Sequence, residues 1–144
     1  MIEPSISFQS AVRARLISDL TVTALVNPGS IRSGLASVAQ MPSIIFSGGQ
    51  TEFLGRASGW QLIARVYLDA HIWAVEDGAD TAQAIGFAVA KALFDAPTSP
   101  EFQVEPDRAA WKRPQVIYMR DPQPEKNFTH GVVSLEAVIR WRQE

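Results

Sequence analysis

The sequence has no cysteine and only two histidines among its 144 residues. Without cysteine the chain can form no disulfide bond, thiolate nucleophile or cysteine-ligated zinc site. Its charges are nearly balanced, with 13 lysines and arginines against 15 aspartates and glutamates and a formal net charge of -2. A dedicated nucleic-acid-binding domain carries a strong basic excess instead. The composition therefore argues against a disulfide-stabilised fold, a thiol enzyme and a nucleic-acid-binding domain.

Long apolar runs are also missing. No stretch approaches the roughly 18 consecutive apolar residues that a membrane-spanning helix needs, and the first residues lack a basic segment followed by an apolar core. We therefore expect neither a signal peptide nor a membrane partner. The 47% hydrophobic and 19% charged residues are ordinary for a globular chain, and the length suits a single domain over residues 1–144.

Two segments have the apolar periodicity of helices that bury one side. The first helix is predicted over residues 7–19, and the members of its buried stripe are Phe8, Val12, Leu16 and Leu20. The second is predicted over residues 80–96. Its buried stripe has the members Ile85, Val89 and Leu93, widened by Phe87 and Phe94.

Apolar and polar residues alternate over residues 60–75, which predicts an unusually long strand. At roughly 3.3 Å per residue it would span about 50 Å, whereas the usual strand has about five or six residues. Such a strand either bends at a bulge or projects beyond its own domain, where it offers a surface to neighbouring subunits. Arg65 and Asp69 share one face of it, and cross-strand pairing with Glu136 and Arg140 is geometrically feasible.

Shorter apolar runs predict further strands over residues 42–47, 102–105, 115–121 and 129–142, with a polar hairpin-like connection over residues 122–128. Between residues 48 and 59 lie four glycines and scattered polar residues, so we predict a mobile loop there. The order of elements favours an α+β fold, with an antiparallel four- to five-stranded sheet and two helices packed on one face.

Few residues offer chemistry. His71 and His130 have no second ligand at a metal-like spacing. Glu76, Asp77 and Asp80 lack the order of a calcium loop and fit helix capping better. No phosphate loop or nucleophile elbow occurs. We therefore predict no enzyme activity, no cofactor and no metal, with a small enzyme or ligand-binding domain as the less favoured alternative.

Several residues are predicted to bind partners. Phe53 and Leu54 are apolar residues in the middle of the predicted loop, where a contact surface would expose them. Trp111 stands among basic residues, a combination that favours a protein interface over a nucleic-acid contact. The predicted partner-binding residues are Phe53, Leu54, Arg56, Trp111, Arg113, Lys126 and Phe128.

The ordered set of motifs resembles the tail-completion, or tail-terminator, proteins of long-tailed phages and gene transfer agents. That family typically has an alternating strand that ends in an aliphatic-tryptophan pair, as Ile72-Trp73 does here. The likeness covers nearly the whole chain. The segments that carry it are Ala24–Val26, Ile31–Arg32, Pro42–Phe46, Leu68–Trp73, Ala82–Leu93, Phe94–Pro97, Tyr118–Pro122 and Thr129–Leu135.

The resemblance implies structural work in a virion tail or neck that is assembled in the cytoplasm of a bacterial host. Such proteins form a six-subunit ring on the last ring of the tail tube, end its polymerisation and present a docking surface to the neck. The implied partners are further copies of the chain, the tail-tube protein and a neck or stopper protein. DNA passes through the lumen without sequence-specific binding. Another neck component, such as a stopper or head-completion protein, is the alternative of the same class.

Overall fold

The computed structural model describes residues 3–34, 41–59, 61–75, 80–122 and 127–142. The helices among them are α1 (Pro4–Ser18), α2 (Leu20–Leu25) and α3 (Asp80–Ala92). The strands are β1 (Ile31–Ser33), β2 (Ser43–Ala57), β3 (Gln61–Val75), β4 (Gln103–Val104), β5 (Trp111–Pro122) and β6 (Asn127–Arg142). All six strands belong to one sheet. The predicted α+β class is therefore confirmed.

The first predicted helix, over residues 7–19, is α1, and α2 begins separately after Asp19. Its stripe is buried as far as Leu16, but Leu20 is 84% exposed, so the prediction for that residue is wrong. The reason is that Asp19 leaves the helical conformation and its carboxylate caps α2, accepting the backbone N–H groups of Thr21 and Val22. The stripe of α1 consequently does not continue past residue 19.

The sheet has the strand order β1-β2-β3-β6-β4, with β5 paired to β6 on the same side as β4. β1 runs parallel to β2, and every other pairing is antiparallel. The sequence predicted neither β1 nor a parallel pair. The long strand is confirmed as β3, which pairs with β6 without a register shift from Gln61 opposite Arg142 to Val75 opposite Phe128.

One hydrophobic core lies against the face of the sheet to which the even-numbered residues of β3 point. Every even-numbered residue from Ala64 to Ala74 is buried, whereas the odd-numbered residues between them are half-buried. Both α1 and α3 contribute to the same core. Its largest fully buried side chains are Phe8, Leu16, Ile31, Ile44, Leu68, Ile72, Ile85, Leu93, Leu135 and Ile139. We call the opposite side of the sheet the outer face.

The predicted mobile loop over residues 48–59 is wrong, because β2 continues to Ala57. Two bulges admit the glycines without ending the strand, one between Ser47 and Gln50 and one between Phe53 and Gly55. Gly48 has φ 69° and Gly55 has φ 144°, values that side chains disfavour. Three of the four glycines that favoured a loop, Gly48, Gly49 and Gly55, lie at the bulges, and Gly59 lies in the turn after β2.

Candidate functional site

Residues 47–57 of β2, which we call the ribbon, form an exposed strand. They pair with β3 on one side, whereas β1 reaches only Ile44–Phe46 on the other. No ribbon residue is buried, although the first four residues of β2 all are. Within the described ranges no strand pairs with the outer edge of the ribbon. Because two bulges interrupt the regular ladder that an added strand needs, the ribbon suits contact through side chains.

The ribbon carries the predicted residues Phe53, Leu54 and Arg56. Phe53 is 68% exposed and Leu54 43% exposed. Phe53 lies beside Ala64 of β3, and its ring centroid is 6.2 Å from that of Trp141. Leu54 is the extra residue of the second bulge, and the Arg56 side chain is exposed. The structure thus brings these three residues together on one projecting edge.

Trp111 and Arg113 lie at the start of β5, and both contact Phe94. Trp111 is half-buried against the core: its ring centroid is 6.1 Å from that of Phe8, and its indole N–H donates to the Phe94 carbonyl at 3.2 Å. Arg113 is exposed, with its guanidinium 4.0 Å from the centroid of the Phe94 ring. Of the two, Arg113 is the residue that a partner can reach.

The last two predicted residues lie near the connection between β5 and β6. Lys126 lies outside the described residues. Phe128 is half-buried on the outer face, directly beside Val75 of β3. The predicted residues therefore do not form one site, since Phe128 stands at the end of the β3–β6 ladder far from the ribbon.

The outer face carries an apolar patch around Phe128 that the sequence did not predict. Its exposed members are Ile117 (56%), Met119 (46%) and Val75 (46%). Ile117 pairs with Val132, and Met119 lies in one row with His130 and Trp73. We call Trp73, Val75, Ile117, Met119, Phe128 and Val132 together the outer patch.

The sequence of β5 contains a pattern from which the outer patch could have been predicted. Val116 and Tyr118 turn toward the core, while Ile117 and Met119 alternate with them and turn away. A strand that is apolar at both alternating sets of positions is typical of one that is covered on both faces. The protein's own core covers one face of β5. None of the described residues covers the other face.

The outward side of α3 carries Phe87, which is 70% exposed. The prediction that Phe87 and Phe94 widen the buried stripe is wrong. Phe87 follows Ile85 by two residues, roughly 200° around the helix, and so points away from the side that Ile85 buries. Phe94 lies beyond the end of α3 and is 52% exposed beneath Arg113.

Ser47, His71 and His130 form a hydrogen-bonded chain across three strands. Ser47 Oγ lies 2.6 Å from His71 Nε2, and His71 Nδ1 lies 2.7 Å from His130 Nε2. The His130 ring stacks on Trp73 with centroids 3.9 Å apart and planes inclined by 8°. A serine-histidine contact can activate a hydroxyl as a nucleophile, but here a second imidazole takes the place of the usual carboxylate. We interpret the chain as a structural link between β2, β3 and β6.

Two ion pairs join neighbouring strands. Arg65 lies 3.5 Å from Glu52 of the ribbon, and Arg140 lies 2.6 Å from Glu105, which follows β4. The cross-strand pairing of Arg65 and Asp69 with Glu136 and Arg140 that the sequence made feasible gives no salt bridge among the described residues, where Arg65 pairs with Glu52 and Arg140 with Glu105. The hydrogen bonds that Arg140 donates to the Glu105 carboxylate raise the pKa of the Arg140 guanidinium.

The described residues offer little for metal chemistry. No group of three or more histidine, aspartate and glutamate side chains among them could hold a metal ion. Glu76 and Asp77 lie outside the described residues. In the same ranges, no helix has both the length and the apolar character to cross a membrane.

The structure defines an α+β domain that exposes apolar side chains on the ribbon and on the outer patch of a single sheet. The family model described as "Tail completion protein gp17" matches residues 10–140. The chain belongs to this family of tail completion proteins. It is therefore a structural component of a phage-type tail, as its motifs led us to expect.

A solved structure has the same fold. A chain in "Virion of native gene transfer agent (GTA) particle" matches this one with a TM-score of 0.67 and 14% sequence identity. The match covers 93% of this chain and 95% of that chain. No curated protein matches the sequence.

Proposed function

We propose that this protein is a tail terminator. Six copies form a closed ring on the last ring of a phage or gene transfer agent tail tube, end its polymerisation and join the tube to the neck. Its partners are the tail-tube protein, a neck or stopper protein and further copies of itself. The chain acts as a single tail-terminator domain in the virion tail and neck, and it assembles in the cytoplasm of the bacterial host.

The observation that carries this proposal is the ribbon, an exposed strand in a chain of the tail-completion family. A protein that ends a polymer must bind the last ring without offering the next tube subunit the same site again. A surface that docks on the tube, in a protein that does not repeat the tube subunit's own binding site, meets that need. The ribbon offers such a docking surface, because its side chains are not needed in the core.

On this proposal the ribbon docks on the tail tube. Phe53 and Leu54 supply apolar area at its edge, and Arg56 adds a charge that fixes orientation. Trp111 and Arg113 with Lys126 and Phe128 form the second set of partner contacts. Arg113 is the most accessible of the described members of that set.

DNA passage requires a lumen that does not hold the phosphate backbone. Phosphate binding comes mostly from lysine and arginine. The chain has 13 of these against 15 acidic residues, so a ring of identical copies carries no basic excess overall. The composition is consistent with DNA sliding through without sequence-specific contacts.

The test is to mix the protein with its tail-tube protein and follow tube length and end structure by electron microscopy. We expect rings on tube ends and tubes that stop growing. The double substitution Phe53→Asp and Leu54→Asp should leave the protein folded and abolish capping. Leu20→Asp is the matched control, because Leu20 is 84% exposed on α2, away from the ribbon.

A persistent monomer that neither binds nor caps tubes would contradict the proposal. A protein that binds the head connector but ignores tubes would instead identify a stopper or head-completion protein. Unchanged capping by the double variant would remove the ribbon from the docking surface and leave termination itself intact.

A further inference from the structure

A ring of identical copies needs two different surfaces on each copy, because its contacts are heterologous. Outside the ribbon the described residues expose apolar side chains at several places, including Ile6 on α1 and Leu20 on α2. Two of these places lie on opposite sides of the sheet, the outer patch and the outward side of α3 around Phe87, since the inward side of α3 lies in the core with the even-numbered residues of β3.

We propose that neighbouring copies pack head to tail, with the outer patch of one copy against the Phe87 side of α3 in the next. The inference rests on the proposed ring and names the partner of both surfaces as a second copy of this chain. It assigns the ribbon and the ring contact to separate parts of the molecule, so that a tail tube and a neighbouring copy bind at the same time.

The outer patch has the character of a covered surface. The exposed face of an antiparallel sheet is ordinarily polar. Here Ile117, Met119 and Val75 are about half exposed in adjoining rows of the sheet and continue into the half-buried Trp73 and Phe128. A contiguous apolar patch of this kind, rimmed by polar residues, marks a protein interface.

The α3 side has a complementary shape and charge. Phe87 is 70% exposed, and Ala84 lies one turn before it, which leaves room for a sheet to approach. Lys91 is exposed one turn after Phe87. On the outer face beyond the patch, Glu136 lies opposite Lys112 and interacts with Arg65, whereas Asp69 lies in the row next to the patch. The Asp69 carboxylate suits the approach of Lys91.

A two-fold contact of outer patch on outer patch fits these observations less well. Such an isologous contact closes at two copies. It would leave Phe87 exposed and would bring the Asp69 carboxylates of both copies to the same interface. The head-to-tail arrangement covers both apolar surfaces and can close only as a ring.

The first test blocks one surface at a time with Ile117→Arg or Phe87→Arg. Both residues are more than half exposed, so both variants should fold. We expect each variant alone to be monomeric in sedimentation velocity. A mixture of the two should form 1:1 dimers and nothing larger, because one intact outer patch meets one intact α3 side. Ile6→Arg is the matched control, since Ile6 is 58% exposed on α1, and it should assemble like the unchanged chain.

The second test uses the absence of cysteine, which makes introduced thiols unique. Phe87→Cys and Ile117→Cys chains are mixed and treated with a short bis-maleimide linker. We expect cross-linked dimers that contain one of each chain and far fewer from either chain alone. Ile6→Cys mixed with Phe87→Cys should give only background cross-linking.

The outcomes separate this inference from the proposed function. Rings formed by Ile117→Arg, a blocked-variant mixture that stays monomeric, or cross-linking of Ile117→Cys mainly to itself would overturn the head-to-tail contact. Tubes could still be capped in each of those cases, and the terminator function would then stand. Specific cross-linking without any capping of tubes would support the contact and contradict the terminator function.

Discussion

Glu3 connects the first helix to the ribbon through its carboxylate. That group accepts the backbone N–H of Ile6 at 3.1 Å and the hydroxyl groups of Ser5 and Thr51. Partial burial raises the pKa of Glu3, but the hydrogen bonds from Ser5, Thr51 and Ile6 outweigh it, so the pKa lies below its usual range. A lowered pKa means that the ionised carboxylate stabilises the folded chain.

We expect Glu3→Gln to lower the free energy of unfolding near pH 7 by up to about 1 kcal/mol, the usual size of a helix-capping contribution. A group with a lowered pKa contributes stability above its unfolded pKa and loses it as the pH falls through its folded pKa. The free energies of unfolding of Glu3→Gln and of the unchanged chain, measured by urea titration at a series of pH values, should therefore converge in acid. A difference that is independent of pH would show that the ionised Glu3 carboxylate is not its source.

His71 and His130 also stabilise the fold through their side chains. Replacing His130 with alanine removes the ring stacking on Trp73 and the hydrogen bond with His71, so we expect the free energy of unfolding to fall by about 1–2 kcal/mol. A double-mutant cycle with His71→Ala measures the part due to the pair. Additive effects of the two substitutions would show that the hydrogen bond contributes nothing.

At the scale of elements, α3 lies close to the sheet because two glycines make room for Tyr118. A Cβ on Gly86 would stand 2.0 Å from the Tyr118 hydroxyl oxygen, and one on Gly131 would stand 3.1 Å from the same ring. The hydroxyl lies 3.4 Å from the Gln83 carbonyl, to which it donates, and burial raises the pKa of Tyr118. The ring thus fills the space between helix and sheet.

Gly86→Ala sets helix propensity against this contact. Alanine favours a helix by about 1 kcal/mol over glycine, but overpacking typically costs about 1–3 kcal/mol. We expect net destabilisation in chemical denaturation. Tyr118→Phe should restore part of it, because the nearest clashing atom is the hydroxyl oxygen. A stabilised single variant would show that Tyr118 moves aside freely.

Elements with one clear period were predictable from the sequence. The alternation of β3 and the stripe of α1 gave the correct element and the correct buried side. The ribbon was not predictable, because glycines such as Gly48 and Gly55 occur both in loops and at bulges. Only the register with β3 distinguishes the two cases. β1 was missed because three residues are too short to show a period.

At the scale of the whole molecule, the exposed apolar surfaces were harder to predict than the core. Phe53 and Leu54 were predicted to be exposed because they are apolar residues in a polar segment, and the structure exposes both. The outer patch escaped notice because its members come from three strands, β3, β5 and β6, whose adjacency depends on the sheet order. Phe87 was assigned to the wrong side because an apolar residue on a helix is ordinarily buried.

The head-to-tail contact is mostly apolar, and this predicts how assembly responds to salt. Exposed charge pairs are largely screened at about 1 M salt, where the Debye length is about 3 Å. We expect self-association to weaken less than tenfold between about 0.1 and 1 M sodium chloride, measured by sedimentation equilibrium. A loss of several orders of magnitude would show that charges such as Lys91 dominate the contact.

The exposure of the ribbon also affects how a protein of this kind can evolve. Because none of residues 47–57 is buried, substitutions there cost the fold little, except at Gly48 and Gly55, whose φ values side chains disfavour. On the proposed docking of the ribbon on the tail tube, a lineage that acquires a different tube can alter its fit at the exposed residues while the chain still folds. Fit to the tube and folding then depend on separate stretches of the same strand, one exposed and one buried.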